Sequence, residues 1–142
     1  MSSILEATRD AHIICTATPA TTPLIDFLDV KPGVHINAVG SHSEDMCEVG
    51  AQLIGQAKVV VDQRIAALAE AGEIIQCMRA GLMNEAHLIE LGDLILDPSL
   101  GRTTANQITI FKSVGLAIQD ISVAQYALKV ASEKNLGVVV AF

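Results

Sequence analysis

Short apolar runs alternate with polar and amphipathic stretches along most of this chain. Four runs are apolar enough and short enough to form buried strands, namely residues 12–16, 34–39, 58–61 and 108–111. Pro19, Gly33 and Gly115 mark turns beside three of these runs. Because strands and helical stretches that alternate in this way form parallel sheets covered by helices, the pattern predicts a layered α/β fold.

Helical spacing is clearest near the C-terminus, where it predicts the longest helix, Leu116 to Glu133. Apolar residues recur on one face of this helix at i, i+4, i+7, i+11 and i+14, at positions Ala117, Ile121, Ala124, Leu128 and Ala131. We expect this face to lie in the core or at an interface. Gly137 follows, and the tail Val138 to Val140 has the composition of one more strand.

Capping residues and spacing predict four shorter helices. They run from Ser2 or Ser3 to Arg9, from near Glu44 through Ile54, from Gln63 to Ala71, and from Asn84 to Leu91. Glu6 stands three residues after Ser3, which is the spacing of a capping box, and Gly72 has the composition of a helix C-cap. Residues 96–102 are predicted to form a loop.

Composition narrows the class of protein. Of the 142 residues, 51% are hydrophobic and 3% aromatic, so the chain carries enough aliphatic material for the core of one domain. A net charge of −7, with nine scattered Lys and Arg, argues against a nucleic-acid surface. No apolar run approaches the ~18 residues typical of a membrane span, and no leader segment is recognisable. Cys15, Cys47 and Cys77 form no C-x-x-C pair, which favours a reducing, cytoplasmic location.

The stretch His35 to Asp45, with the sequence HINAVGSHSED, is the strongest candidate for a ligand site. A buried strand ends at Gly40 and opens into a polar loop, and open α/β sheets bind ligands at the carboxyl ends of their strands. A second polar cluster follows the first strand and contains Thr16, Thr18, Thr21 and Thr22. Those hydroxyls either cap their own turn or face the same cleft.

Common catalytic and phosphate-binding motifs are absent from the sequence. The four histidines form neither an H-x₃-H nor an HE-x-x-H pair, so no metal site is expected. A G-x-S-x-G nucleophile motif is also missing. The sequence contains neither G-x-G-x-x-G nor G-x₄-G-K-[ST], so these residues do not include the usual pyrophosphate-binding turn.

Several segments resemble, in order and spacing, the ornithine cyclodeaminase/mu-crystallin family. The two most specific are KPGVHINAVG at residues 31–40 and QITIFKSVGLAIQD at residues 107–120. Shorter matches are ICTATP at 14–19, VVD at 60–62, EAG at 70–72 and GRT at 101–103. The family consists of dimeric NAD(P)-dependent cyclodeaminases, alanine dehydrogenases and ketimine reductases, which exchange hydride at an amino or imino carbon.

The resemblance covers only part of such an enzyme. Family members have a substrate-binding and dimerisation domain, built from both chain ends, and a central Rossmann domain. This chain resembles the second half of the Rossmann domain plus the C-terminal return. We therefore expect a three-layer α/β fold with a mostly parallel sheet, organised as one truncated Rossmann-like domain over residues 1–142 with a C-terminal helix and strand. The glycine-rich turn, the acidic ribose-binding residue and the Arg and Lys that hold the substrate carboxylate would lie upstream.

The resemblance also implies roles for individual residues. Those beside a dinucleotide and along its nicotinamide end are Thr16, Thr18, Ala38, Val39 and Gly40, and those near the nicotinamide and substrate are Ser113, Val114 and Gly115. His42 occupies the position of the cyclodeaminase catalytic carboxylate. It is either a general acid/base, since imidazole titrates near neutrality, or an exposed loop histidine. Met46 stands where the cyclodeaminases have a lysine that contacts the cofactor.

Half of a cofactor site is not expected to hold NAD(P) tightly. The missing bonds to pyrophosphate and ribose contribute about 1.5–3 kcal/mol each where a partner is charged. We therefore expect no cofactor on the isolated chain and no catalysis by it alone, although the family implies NAD(P). Three functions stay open: a small, non-catalytic oligomeric binding or interaction protein, one part of a split NAD(P)-dependent cyclodeaminase or imine reductase whose cofactor-binding half is on another chain, and a small-ligand binder at the His35 to Asp45 loop.

A half-domain leaves apolar surface uncovered. An open sheet edge and the apolar face of the helix from Leu116 to Glu133 would both be exposed, and such surfaces pair with other chains. We therefore expect a homo-oligomer, namely a two-fold dimer in which the second copy covers the sheet and this helix face.

Overall fold

The computed structural model describes residues 3–138 and 140. The helices and strands, in chain order, are α1 (Ile4–Thr8), β1 (Ile13–Thr16), β2 (His35–Ala38), α2 (Ala51–Gln56), β3 (Lys58–Val61), α3 (Arg64–Glu70), α4 (Gly72–Arg79), β4 (Leu88–Glu90), α5 (Leu91–Leu96), β5 (Thr109–Lys112) and α6 (Ala117–Glu133). Short 3₁₀ helices occupy Phe27–Asp29, Glu85–His87 and Pro98–Leu100.

Among the described residues the sheet has five strands, all parallel, in the order β1-β2-β5-β3-β4. The predicted α/β class is therefore confirmed, with a sheet that is wholly parallel. Strand β5, the last in sequence, lies between β2 and β3. Its final residue Lys112 is in register with Ala38 on one side and Val61 on the other, and Ala38 is in register with Thr16. The loops that follow β1, β2 and β5 consequently start side by side.

One face of the sheet is fully covered. Ile14, Ile36, Ile110 and Val59 form one row across four strands and are buried in a core with residues of α2, α3 and α4. Fully burying an aliphatic side chain contributes about 1.5–3 kcal/mol, so this core supplies much of the driving force for folding.

The opposite face is only partly covered. Helix α5 lies against this face near β3 and forms the third layer. Its Leu94 side chain lines a groove of about 390 Å³ together with Val60 and Phe111. Toward β1 the same face is open, and the side chain of Ile13 is 65% exposed. Parallel sheets are normally buried on both faces, so this surface is unusual for an isolated domain.

Helix α2 begins at Ala51, so the prediction of a helix from near Glu44 was wrong. Residues 47–50 instead pair with the segment that follows β1. The Cys47 N–H donates to the Ala20 carbonyl, and the Gly50 N–H donates to the Ile25 carbonyl. Because these backbone groups already have partners remote in sequence, the segment does not form helical bonds despite its helix-like spacing.

Two predictions around α4 were also wrong. Gly72 does not end a helix at a C-cap but is the first residue of α4. A Cβ atom at Gly72 would lie 2.0 Å from the carbonyl oxygen of Met46, so glycine is needed there for close approach of the 43–46 loop. Asn84 caps only a 3₁₀ turn, and Leu88–Glu90 forms strand β4 beside β3 rather than a helix. Of the loop predicted at residues 96–102, Leu96 is the last residue of α5 and residues 98–100 form a 3₁₀ helix.

The two terminal helices form where the sequence predicts them. In α1 the Ser3 hydroxyl oxygen accepts the Glu6 N–H at 3.2 Å, as the capping spacing indicated. Helix α6 matches the predicted long helix, but its apolar face is not in the core, because Ile121 is 52% and Leu128 73% exposed. The predicted tail strand at residues 138–140 falls partly outside the described residues.

Within the described part of the chain, no helix combines the length and the apolar character that a membrane crossing requires. The cytoplasmic location stays a prediction.

Candidate functional site

Polar groups gather at the carboxyl edge of the sheet, where the loops after β1, β2 and β5 meet. This edge contains the residues that the sequence singled out. Thr16 is buried, Thr18 and Gly40 are half-buried, and the Val39 side chain is 45% exposed. The Val39 N–H donates to the Thr16 carbonyl at 3.0 Å, so hydrogen bonds between β1 and β2 continue to the end of the strands.

The carboxylate of Glu48 connects the loops after β1 and β2. Its Oε1 atom accepts the Thr18 N–H at 2.6 Å and the Thr18 hydroxyl at 2.9 Å. Its Oε2 atom accepts the Gly40 N–H at 2.8 Å and the Thr16 hydroxyl at 2.9 Å. Glu48 is fully buried. Three residues predicted to line a cofactor thus meet on one carboxylate that the sequence did not single out.

Hydrogen bonding decides the ionisation of this carboxylate. Burial on its own would raise the pKa of Glu48. The bonds donated by Thr18, Gly40 and Thr16 stabilise the charged form and outweigh burial, so the pKa of Glu48 lies below its usual value. At neutral pH the group is therefore an anion that only accepts hydrogen bonds.

A buried ion pair lies beside it and connects the loops after β2 and β5. Lys112 Nζ donates to the carbonyl oxygens of Ser41 (2.6 Å), Ser113 (3.1 Å) and Ala38 (3.3 Å). It also lies 3.6 Å from Oε1 of Glu73, at the start of α4. The Ser41 hydroxyl donates to the other oxygen of Glu73. Both charged side chains have no exposed surface.

Burying the charged ammonium group of Lys112 costs free energy of desolvation. Burial lowers the pKa of Lys112, and the negative charges of Glu73 and Glu48 offset part of that effect. The ammonium group is enclosed by backbone carbonyls, so its geometry fits a structural role in which it ties the two loops together.

Asp62, directly after β3, organises the third loop. Its Oδ2 atom accepts the Ser113 hydroxyl at 2.8 Å and the backbone N–H groups of Val114 and Gly115 at 3.1 and 3.2 Å. Gly115 has φ +89°, a left-handed conformation that favours glycine. The loop predicted to lie near the nicotinamide and substrate is thus fixed by a carboxylate of the neighbouring strand.

His42 lies at the exposed part of the loop after β2. Its Nδ1 atom is 3.1 Å from the carbonyl oxygen of Gly40, within the same loop. Met46, at the position of the cyclodeaminase lysine, is buried at 8% exposure. The acid/base role of His42 stays a prediction, as do the cofactor contacts of the eight residues named above.

Other sites are less able to bind a charged ligand. Among the described residues, no group of three or more His, Cys, Asp or Glu is arranged to hold a metal ion. The groove beside α5 has Lys58 and Arg102 among its lining residues, but both cations already donate to backbone carbonyls, such as those of Gly101 and Gly33.

Sequence reasoning missed Glu48, Glu73 and Lys112 and gave Asp62 no role. The signals were present but weak. Lys112 comes directly after the apolar residues Ile110 and Phe111. Glu48 stands between Cys47 and Val49, and Asp62 directly follows a buried strand. A charge next to apolar residues indicates either an exposed edge or a buried group with polar partners. Lys112 and Glu48 are buried with such partners, and Asp62 is half-buried.

The sequence is similar to those of several known reductases. The Delta(1)-pyrroline-2-carboxylate reductase of Bacillus cereus is 45% identical over 135 residues, which is 93% of this chain and 41% of that protein. The ketimine reductase mu-crystallin of Mus musculus is 38% identical over 124 residues, which is 87% of this chain and 37% of that protein. The chain thus spans about two fifths of the length of these relatives.

Solved structures show the same fold. The Thermococcus litoralis Delta(1)-pyrroline-2-carboxylate reductase, in complex with NADH and L-proline, matches with a TM-score of 0.88 and 36% identity, over 99% of this chain and 44% of that one. An archaeal alanine dehydrogenase dimer with bound NAD matches with a TM-score of 0.83 and 33% identity, again over 99% and 44%. The Rossmann-like fold is therefore confirmed. The profile of the ornithine cyclodeaminase/mu-crystallin family matches residues 1–135, and the chain belongs to that family.

Proposed function

We propose that these residues form the nicotinamide half of the cofactor cleft of an NAD(P)-dependent imine or amino-acid reductase. The chain would be a single truncated Rossmann-like domain, inactive alone and completed by a part that carries the glycine-rich turn. One observation carries the proposal: the loops after β1, β2 and β5 are each fixed by carboxylate or ammonium groups of this same chain. Such preorganisation is what a cofactor site requires.

Sheet topology supports the location of the missing half. In Rossmann folds the strand order is 3-2-1-4-5-6, and the dinucleotide lies where the two halves meet. Strand β1 is an edge strand here, and β2 is its neighbour. They correspond to strands 4 and 5 of that order, because strand 4 would become an edge strand if strands 1 to 3 were on another part. A complementary strand beside β1 would bring its glycine-rich turn next to Thr16 and Thr18. The exposed Ile13 side chain lies on the same edge strand.

Binding of NADH should depend strongly on the complementary half. Without the pyrophosphate and ribose bonds, we expect the isolated chain to bind NADH at least about a hundredfold more weakly than the completed site. A suitable completed site is a chimera in which the part of the Bacillus cereus reductase outside the matched 41% of its length is joined to this chain. Isothermal titration calorimetry with NADH and NADPH would compare the two proteins.

The chimera should also reduce Δ¹-pyrroline-2-carboxylate, the substrate class in the name of that relative. Micromolar NADH binding by the isolated chain would contradict the proposed dependence. A folded chimera that binds neither cofactor would contradict the proposal as a whole.

A second candidate function is a small oligomeric binding or interaction protein, favoured by helix α6. Ten of its 17 residues are apolar, and large ones on more than one side are exposed, including Ile118, Ile121, Tyr126 and Leu128. A helix that is apolar on most sides is normally buried. A two-fold dimer would cover α6 with a second copy, and this is the arrangement that we propose.

Charges on the apolar face of α6 should dissociate such a dimer. The double substitution Ile121→Glu and Leu128→Glu changes two residues that are exposed in the single chain, so the fold should be kept while the sedimentation coefficient falls to that of a monomer. Gln119→Glu, nine positions before Leu128 and so on the opposite side of the same helix, is the matched control and should leave the dimer intact. A wild-type chain that sediments as a monomer would exclude the dimer.

A further inference from the structure

We infer that Glu48 is the positioning residue of this site, and that its carboxylate sets the spacing between the loop after β1 and the loop after β2. The relevance of this spacing to a cofactor rests on the proposed function. The arrangement itself is a property of the chain and is tested without a cofactor.

The four donors match the capacity of a carboxylate. Each oxygen of Glu48 accepts one backbone N–H and one hydroxyl, with Thr18 on one side and Gly40 and Thr16 on the other. A glutamine of the same shape has only one oxygen, so its NH₂ group would face a backbone N–H of either Thr18 or Gly40. Hydroxyl groups can rotate to accept a bond, whereas a backbone N–H cannot. Only the ionised acid satisfies both loops.

The backbone of Glu48, which lies farther along the loop after β2, is held by residues other than the three that its side chain contacts. Its carbonyl oxygen accepts the Leu24 N–H at 2.8 Å and the Ile25 N–H at 3.4 Å. Ile25 also forms a parallel bridge with Val49. The side chain therefore extends from a fixed segment, which is the condition for setting a distance rather than following one.

The two loops lie so close together at Gly40 that no side-chain atom fits between them. A Cβ atom at Gly40 would lie 2.2 Å from the Thr18 nitrogen and 2.5 Å from Oε1 of Glu48. Real Cβ contacts are not this short, so the backbone of one loop lies directly against the other and against the carboxylate. The charged or titratable groups beside this contact are Lys112 on β5, which the charge of Glu48 reaches, Glu73 on α4, which pairs with Lys112, and His42, whose Nδ1 lies 3.1 Å from the Gly40 carbonyl oxygen.

The test follows the backbone amides of Thr18 and Gly40 by two-dimensional NMR of the full chain. In the wild type, both amide proton shifts should change together as the pH falls, with one midpoint below the ordinary glutamate pKa of about 4.3. Glu48→Gln should abolish this shared transition. Glu70→Gln, which changes an exposed acid, should preserve it. Acid unfolding would shift amides throughout the chain with the same midpoint, so amides of β5 must keep their native shifts while Thr18 and Gly40 titrate.

Hydrogen exchange at neutral pH gives a second reading that does not need an acidic solution. In the Glu48→Gln protein, one of the two amides should exchange about ten- to a hundredfold faster while amides in β2 and β5 keep their protection. The inference is overturned if the two amides titrate independently in the wild type, or if Glu48→Gln leaves both their shared transition and their exchange unchanged.

These outcomes are separate from those of the proposed function. A chimera that fails to bind NADH contradicts the cofactor site but leaves the two-amide titration to decide the role of Glu48. If the chimera binds, Glu48→Gln in it should weaken NADH binding by about tenfold or more, and unchanged affinity would overturn a role in cofactor positioning.

Discussion

Lys112→Met should lower the free energy of unfolding by about 3–5 kcal/mol, since it leaves the Glu73 carboxylate buried without its cation. Both side chains have no exposed surface, and Nζ lies 3.6 Å from Oε1 of Glu73. Within the described residues that oxygen has no hydrogen-bond partner, so the lysine charge is its compensation. Three backbone carbonyls would also lose the ammonium donor. Urea unfolding monitored by circular dichroism measures the change.

A surface lysine provides the matched control. Lys129 in α6 is 71% exposed and lies 3.9 Å from Glu133 in an i,i+4 pair. Exposed pairs of this kind contribute about 0.3–0.5 kcal/mol, so Lys129→Met should have little effect. The same chemical change should thus differ in effect by several kcal/mol between the two positions.

A double substitution tests the physical reason. Glu73→Gln removes the buried negative charge while its amide oxygen still accepts the Ser41 hydroxyl. Combined with Lys112→Met, it should recover at least about 1 kcal/mol relative to the sum of the single effects, because neither charge is then left unpaired. Strict additivity, or a Lys112→Met protein within about 1 kcal/mol of the wild type, would contradict a coupled buried pair.

Strand positions could be predicted from the sequence because each depends mainly on its own residues. The runs at 34–39 and 58–61 are mainly apolar, with several β-branched residues, and they form β2 and β3 with ends shifted by at most one residue. Helix α6 could likewise be predicted from its own spacing. What it packs against could not, because the apolar face of α6 is exposed within this chain.

Features that depend on remote partners could not be predicted. Residues 44–50 have helix-like spacing, but the backbone bonds of residues 47–50 to residues 20–25 prevent a helix. Burial of Lys112 follows from the insertion of β5 between β2 and β3, an order that differs from the order in sequence. The same insertion brings the loop at 113–115 beside the loop after β2. The sequence therefore indicated which loops form the candidate site, but not the charged groups that hold them.

Gly40→Ala should lower the free energy of unfolding by about 2–4 kcal/mol, through overpacking and the loss of hydrogen bonds to Glu48. The glycines with positive φ are Gly33, Gly81, Gly115 and Gly137, so the effect at Gly40 is steric and not conformational. The added methyl group would meet backbone atoms of Thr18 at 2.2 and 2.4 Å. Backbone at that distance cannot move aside as a flexible side chain can.

Gly92→Ala is the matched control and should have the opposite sign. Gly92 lies in α5, and no atom lies within 4 Å of the position of its added Cβ. Replacing glycine by alanine where the backbone conformation suits both residues stabilises a protein by about 0.4–1 kcal/mol through the unfolded state, so this protein should be slightly more stable than the wild type. Thermal or urea unfolding of the two variants separates local crowding from backbone entropy. If Gly40→Ala were also neutral or stabilising, the loops after β1 and β2 would have room to separate, and a fixed spacing set by Glu48 would be excluded.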